Sequence, residues 1–288
     1  MNSNKKLYPL LCLLCLINLN IVSASTPIVM MHGINSDASS MNYLYNLLKS
    51  IYPDNYILNV EIGDGKLTSI FKPMFEQVSM FNQVIQSDSY LVNCFHLIGF
   101  SQGTLITRGY IELYNNPPVI NYISLAGPQA GQYGTPYVNI ELIDDLLSKL
   151  DYLSPIQEMI APGQYWKNPK LLDLYTEHSI YLALINNERN YNHTFYDNFV
   201  SLNKLVLVYS SNDKVIHPPI SGWFGFYNSD FQILNFTQTN LYQKDLFGLK
   251  KLENDNKIVF YKTEFEHTDH ANEIAKQFIL DNIVQWLD

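Results

Sequence analysis

Short, wholly apolar runs alternate along this chain with longer stretches whose apolar positions recur at helical spacing. Pro27-Ile28-Val29-Met30-Met31 is the first such run and predicts a strand buried on both faces. Residues 39–51 carry helical spacing. Residues 56–62 predict a second strand, closed by Gly63-Asp64-Gly65, and 68–86 predict a long amphipathic helix. Residues 95–99 form a third apolar run, and 102–114 a helix that Pro117-Pro118 ends. Tyr122-Ile123-Ser124-Leu125-Ala126, Leu205-Val206-Leu207-Val208-Tyr209 and Lys257-Ile258-Val259-Phe260-Tyr261 are further strands, with a closing helix over 272–286. This alternation predicts an α/β fold, a mostly parallel central sheet with helices on both faces. Chemistry then belongs on the loops at the carboxyl ends of the strands.

The alternation lapses between Gly127 and Asn203, where only short helical patterns such as 140–150 occur. That interval is too long for a plain loop. It reads as a helical cap inserted at about 128–203 in one domain spanning 25–288. Its Leu, Ile, Tyr and Pro content suits either the lining of an apolar groove or a shield over one end of the sheet.

Residues 1–24 read as a cleaved signal peptide: Lys5-Lys6, an apolar run over 7–16, then Val22-Ser23-Ala24. The run is too short to span a bilayer, and no other stretch predicts a transmembrane segment. Cleavage removes Cys12 and Cys15, leaving Cys94 without a disulfide partner. It also removes two lysines and no acid, which takes the formal charge from −9 to −11. So acidic a chain lacks the basic stripe of a nucleic-acid binder. The triplets Asn192-His193-Thr194 and Asn235-Phe236-Thr237 are glycosylation sequons suited to a secretory-route protein.

The candidate chemistry centres on Gly99-Phe100-Ser101-Gln102-Gly103, set between a predicted strand and a predicted helix. That is the form of a nucleophile elbow, in which a sharp turn exposes the serine hydroxyl. An α/β-hydrolase places its acid and then its base after later strands. Asp213 follows the 205–209 strand and is the candidate acid, with turn capping as its structural alternative. Two histidines follow the last strand; His267 is nearer the strand end, and His270 borders the closing helix. Proximity to the strand end favours His267 and leaves His270 open. The oxyanion hole would take the amide of Gln102 and that of Ile34, after His32-Gly33. His32 is a rival base, but its place beside this loop favours a structural role. His96, His178, His193 and His217 read as surface or satisfied core residues. No metal-binding pattern, phosphate loop or dinucleotide fingerprint is present, so no cofactor is expected.

Further stretches have no general hydrolase role. They include Gly127-Pro128-Gln129-Ala130-Gly131-Gln132-Tyr133-Gly134, Tyr165-Trp166-Lys167-Asn168-Pro169, the segment 178–189, Trp223-Phe224-Gly225-Phe226-Tyr227 and Phe247-Gly248-Leu249-Lys250. With Met31-His32-Gly33-Ile34 and the serine motif, they make the chain resemble the palmitoyl-protein thioesterase family of lysosomal α/β-hydrolases. The resemblance covers nearly all of the chain after residue 24. It implies a triad of Ser101, Asp213 and His267, with the segment 259–267 selecting His267 over His270. It implies oxyanion donors at Ile34 and Gln102, and an acyl-chain groove under the cap with Gln129 near its entrance. Thr104 departs from the pattern, standing where relatives often have a second glycine. The disulfides of some relatives cannot form here.

The function so implied is hydrolysis of palmitoyl thioesters on S-acylated proteins or peptides, or on acyl-coenzyme A, by a monomer in the lysosome or outside the cell. A secreted lipase or carboxylesterase acting on oxygen esters is the nearer alternative, and a non-catalytic acyl-chain carrier the more distant one.

Overall fold

The structure, a computed structural model, describes residues 25–134, 152 and 155–288. The signal sequence and the 140–150 helical pattern lie outside the described residues. Six strands form one sheet: β1 (Ile28–Met31), β2 (Ile57–Val60), β3 (Phe95–Phe100), β4 (Val119–Leu125), β5 (Lys204–Ser210) and, last in the chain, β8 (Ile258–Thr263). Every pairing is parallel, in the order β2-β1-β3-β4-β5-β8. Side chains alternate between faces, so each apolar run feeds two cores. Ile28, Met30, Ile98, Ile123 and Val206 pack on one side, against α1 (Asn42–Ile51) and the C-terminal helical turns. Val29, Met31, Leu97, Tyr122 and Leu205 pack on the other. That second face is covered by α2 (Lys66–Phe71), α3 (Met74–Ser87) and α4 (Gly103–Leu113).

Two predicted helices differ from expectation. The helix over 68–86 is broken into α2 and α3, because Pro73 cannot continue it and holds Lys72 extended at ψ 133°. The break has a use: the Met74 amide at the new N-terminus donates to Gln164 Oε1 at 2.8 Å, tying α3 to the inserted segment. The closing helix is a series of turns instead of one regular helix, with a π stretch at Ile279–Ile283. Its buried residues Ala275, Ile279, Ile283 and Leu287 recur every fourth position. That spacing is wider than 3.6 residues per turn, and π winding keeps such a row on the sheet.

The described part of the insertion is helical and short-stepped: α5 (Ile156–Met159), α6 (Leu172–His178), α7 (Leu182–Ile185) and α8 (His193–Val200). A second excursion, between β5 and β8, holds a small antiparallel hairpin of β6 (Phe226–Tyr227) and β7 (Ile233–Leu234). Sequence patterning missed it because each strand has only two residues. Arg108, fully buried on α4, joins both excursions to the sheet. It donates to Glu112 Oε1, the Gln129 and Ile185 carbonyls and Asn186 Oδ1, and lies 4.2 Å from the Phe247 ring centroid. The guanidinium's fixed fork suits so many simultaneous acceptors.

His96, on β3, is buried, and neither ring nitrogen has a hydrogen-bond partner among the described residues. It is thus a core histidine, with the chain-terminal Asp288 as a polar neighbour. Burial depresses its pKa to about 4. The unfolded chain therefore takes up a proton before the folded one, and stability falls as pH drops from about 6.5 to 4. The loss amounts to about 3 kcal/mol. His96→Leu is expected to abolish most of that fall while changing little at pH 7.5. Urea midpoints at the two pH values check this; an equal acid loss in both proteins would refute it.

Candidate active site

The elbow follows from sterics. Ser101 sits at φ 54° between β3 and α4, a left-handed conformation that costs a non-glycine residue energy. The turn is this tight only because its flanks lack side chains. A Cβ on Gly103 would fall on the carbonyl oxygens of Met31 and His32, and one on Gly99 would press on Thr104 and Thr107. Thr104 packs tightly here: its hydroxyl donates to the Ser101 carbonyl at 2.7 Å, and its side chain occupies the space a Cβ on Gly127 would need. The departure at residue 104 is therefore matched across the interface by Gly127.

Sheet topology brings the other groups to the serine. The order reverses between β1 and β3, so the loops after these strands open from a common crevice. The loop after β1 passes so close that a Cβ on Gly33 would lie 2.8 Å from that of Ser101. Among the described residues, neither the Ile34 nor the Gln102 amide donates a hydrogen bond within the chain, which leaves both available to an oxyanion.

Asp213 follows β5, and His267 opens the helical turn after β8. His267 Nε2 is 2.8 Å from Ser101 Oγ, and Nδ1 is 2.7 Å from Asp213 Oδ2. The other carboxylate oxygen accepts from the Val215 and Ile216 amides at 2.8 and 2.9 Å. Burial pushes the Asp213 carboxyl up, but the hydrogen bond and charge of His267 and these amides outweigh it. The net pKa lies below the ordinary carboxylate value. The three side chains are buried together, from opposite ends of the sequence. Asp213, ionised, accepts from Nδ1–H, which leaves Nε2 to accept the serine proton.

His270 makes neither contact. Its Nδ1 lies 3.0 Å from the His267 carbonyl, which can only accept, so Nδ1 carries the proton; Nε2 faces Thr263 Oγ1 at 3.1 Å. Burial lowers its pKa. It braces the main chain of His267. His32 is also structural: Nδ1 donates to the Gly33 carbonyl at 2.8 Å. That carbonyl shares a peptide plane with the Ile34 N–H, so His32 orients the candidate oxyanion donor.

A family profile described as palmitoyl protein thioesterase matches residues 27–267. Palmitoyl-protein thioesterase 3 of Dictyostelium discoideum is 46% identical over 266 residues, covering 91% of this chain and 92% of its own. The chain belongs to the palmitoyl protein thioesterase family. It is thus a thioester hydrolase by family. The lysosomal thioesterase PPT2 of Homo sapiens is 33% identical over 232 residues, 78% of this chain and 76% of that one. Among solved structures, a carboxylesterase of Nitrososphaera gargenis superposes with TM-score 0.50 at 13% identity, covering 91% of both chains, a likeness of fold alone.

This thioesterase has a small pocket of about 20 Å³ against Ser101. Pro128, Pro162, Tyr165, Val215 and Ile216 give it an apolar wall, with Ile34, Gln102 and Gln132 completing it. Gln129, expected near the entrance, lies elsewhere: it is fully buried, donating to Tyr122 and Ser124 hydroxyls. Gln132, three residues on, lines the pocket and braces the loop beside Asp213 through the Val215 carbonyl and the His217 amide. One turn of irregular chain separates the two glutamines, and spacing alone gave no reason to choose the second.

Two supports of the site escaped sequence reasoning. Ser69 accepts from the Asn35 amide at 2.9 Å, while its carbonyl accepts from Gln102 Nε2 at 2.7 Å, joining the loops that carry both candidate oxyanion donors. Tyr165 in the inserted segment donates to Gln102 Oε1 at 3.0 Å. A serine within a helix and a tyrosine among many carry no motif. Of the sequons, Asn192 is half-buried at the N-terminus of α8, and Asn235 is exposed before a 3₁₀ turn.

Proposed function

We propose that the protein hydrolyses long-chain acyl thioesters, palmitoyl among them, on S-acylated cysteines of proteins or peptides, with Ser101 as nucleophile, His267 as base and Asp213 as its orienting acid. The observation that carries this reading is the hydrogen-bonded chain from Asp213 through His267 to Ser101, with an apolar pocket opening on the serine hydroxyl. His267 Nε2 takes the serine proton as Oγ attacks the thioester carbonyl. The amides of Ile34 and Gln102 hold the oxyanion, each contributing about 3 kcal/mol in sites of this kind. The tetrahedral intermediate expels the cysteine sulfur, protonated by His267, and leaves an acyl-enzyme. Water, deprotonated by the same histidine, then frees the fatty acid and regenerates Ser101. The apolar pocket rewards acyl length at about 0.8 kcal/mol per buried methylene.

The lysosome is the proposed destination, supported by relatives named as lysosomal thioesterases. Residues 1–24 are the proposed entry signal, and 128–203 the cap that closes over the acyl chain. Among the described residues no helix is long and apolar enough to cross a membrane.

Initial rates on S-palmitoyl and O-palmitoyl esters of matched structure test the reading. We expect the thioester to be hydrolysed at least tenfold faster. Equal rates would make the protein a general lipid esterase, and palmitate binding without turnover would make it a carrier.

A further inference from the structure

Ser101 opens onto two pockets, separated by a ridge: Ile34 and Val215 line both. The second, about 290 Å³, lies on the side of His267 and Phe100. We propose that this second pocket receives the cysteine side of the substrate and selects a peptide over a polyanionic leaving group such as coenzyme A. The inference rests on the thioesterase reading above.

The direction of proton transfer decides which half of the substrate goes where. As the C–S bond breaks, the proton taken from Ser101 must pass from His267 Nε2 to the departing sulfur. The sulfur therefore lies on the histidine's side of the serine. His267 lines the second pocket and not the first. The carbonyl's remaining substituent, the acyl chain, then points into the apolar pocket walled by Pro128, Pro162 and Ile216.

The chemistry of the second pocket selects what the sulfur carries. Its polar groups are the hydroxyls of Ser36, Ser40 and Thr268 and the amide of Asn35. These match the N–H and C=O groups of a peptide. Among the described residues, no lysine or arginine lines it. The charge beside it is acidic. Glu61 accepts from the Ala38 amide at 3.1 Å, and Asp37 caps the same turn through the Ser39 amide. Of the cations in this region, Lys66 lies near Asp37, and Lys214 makes an exposed contact of 3.9 Å with Glu266. Phosphate groups entering this cleft would meet the Asp37 and Glu61 carboxylates beside it and, among the described residues lining it, no lysine or arginine.

The test compares kcat/KM on three palmitoyl thioesters, those of an uncharged cysteinyl peptide, coenzyme A and N-acetylcysteamine. The peptide is expected to exceed palmitoyl-coenzyme A by about tenfold or more at low salt, with the gap narrowing as salt screens the carboxylates. Ser40→Lys, on the exposed rim, is expected to raise palmitoyl-coenzyme A relative to the peptide severalfold. Ser40→Trp is expected to lower the peptide relative to the small N-acetylcysteamine thioester. Turnover of the small thioester with coenzyme A matching or beating the peptide, or both variants moving all three substrates equally, would overturn this assignment alone. Failure on all three would remove the thioesterase reading and this inference with it.

Discussion

Replacing Ser101 with alanine is expected to lower kcat on a palmitoyl thioester by about a millionfold, with the fold retained. The size reflects the loss of the whole covalent pathway. Without Oγ no acyl-enzyme can form, and His267 can assist only direct attack by water on the thioester. About 8 kcal/mol of barrier lowering disappears with it. Stability should change little. Alanine keeps the Cβ and meets the same φ of 54° as serine, while only the 2.8 Å bond to His267 is removed. His267→Ala should cost a similar factor, and the double variant scarcely more, because the two residues act as one unit. Single-turnover rates with thermal unfolding curves check this. More than one per cent residual activity in correctly folded Ser101→Ala would rule out Ser101 as nucleophile.

Asp213→Asn is expected to lower kcat by about 10⁴-fold while barely disturbing the backbone. The reason lies in the two oxygens of the carboxylate. Oδ1 accepts from the Val215 and Ile216 amides, which can only donate. Asparagine must keep its oxygen there, so its NH₂ group faces His267 Nδ1. Nδ1 then becomes an acceptor, and the ring proton moves to Nε2. In that tautomer Nε2 donates to Ser101 and cannot take its proton. Asp213→Ala would lose activity differently, by leaving two buried amides unpaired and destabilising the loop. A solution NMR assignment of the imidazole tautomer in Asp213→Asn, alongside kcat, separates the two effects. An Nδ1-protonated ring with a 10⁴-fold loss would refute the tautomer argument.

Much of the site was legible because several of its residues follow buried strands. Such strands are mostly apolar, so their ends can be read and the next residues placed on the crevice. That reasoning reached Ser101, Ile34, Gln102, Asp213 and the pair His267 and His270. Strand-end proximity favoured His267 over His270, and the family resemblance selected it. His267 and His270 sit in one helical turn, and what separates them is that His270 turns to Thr263 and a carbonyl. Gln129, which the resemblance placed near the groove entrance, faces the sheet, and Gln132, not singled out from the sequence, faces the pocket.

The sequence by itself determined the parallel sheet, the elbow and the chain order of Ser101, Asp213 and His267 after their strands, since these rest on apolar periodicity and on glycines that sterics demand. Only the tertiary structure decided the break at Pro73 that ties α3 to Gln164, and the Arg108 contacts linking both excursions to α4, hydrogen bonds to the first and the Phe247 ring to the second. It also set the two pockets on opposite sides of the Ile34 and Val215 ridge. Periodicity records which face of an element is buried. A hydrogen bond between residues 166 positions apart, as between Ser101 and His267, depends on how the elements pack and leaves no local pattern.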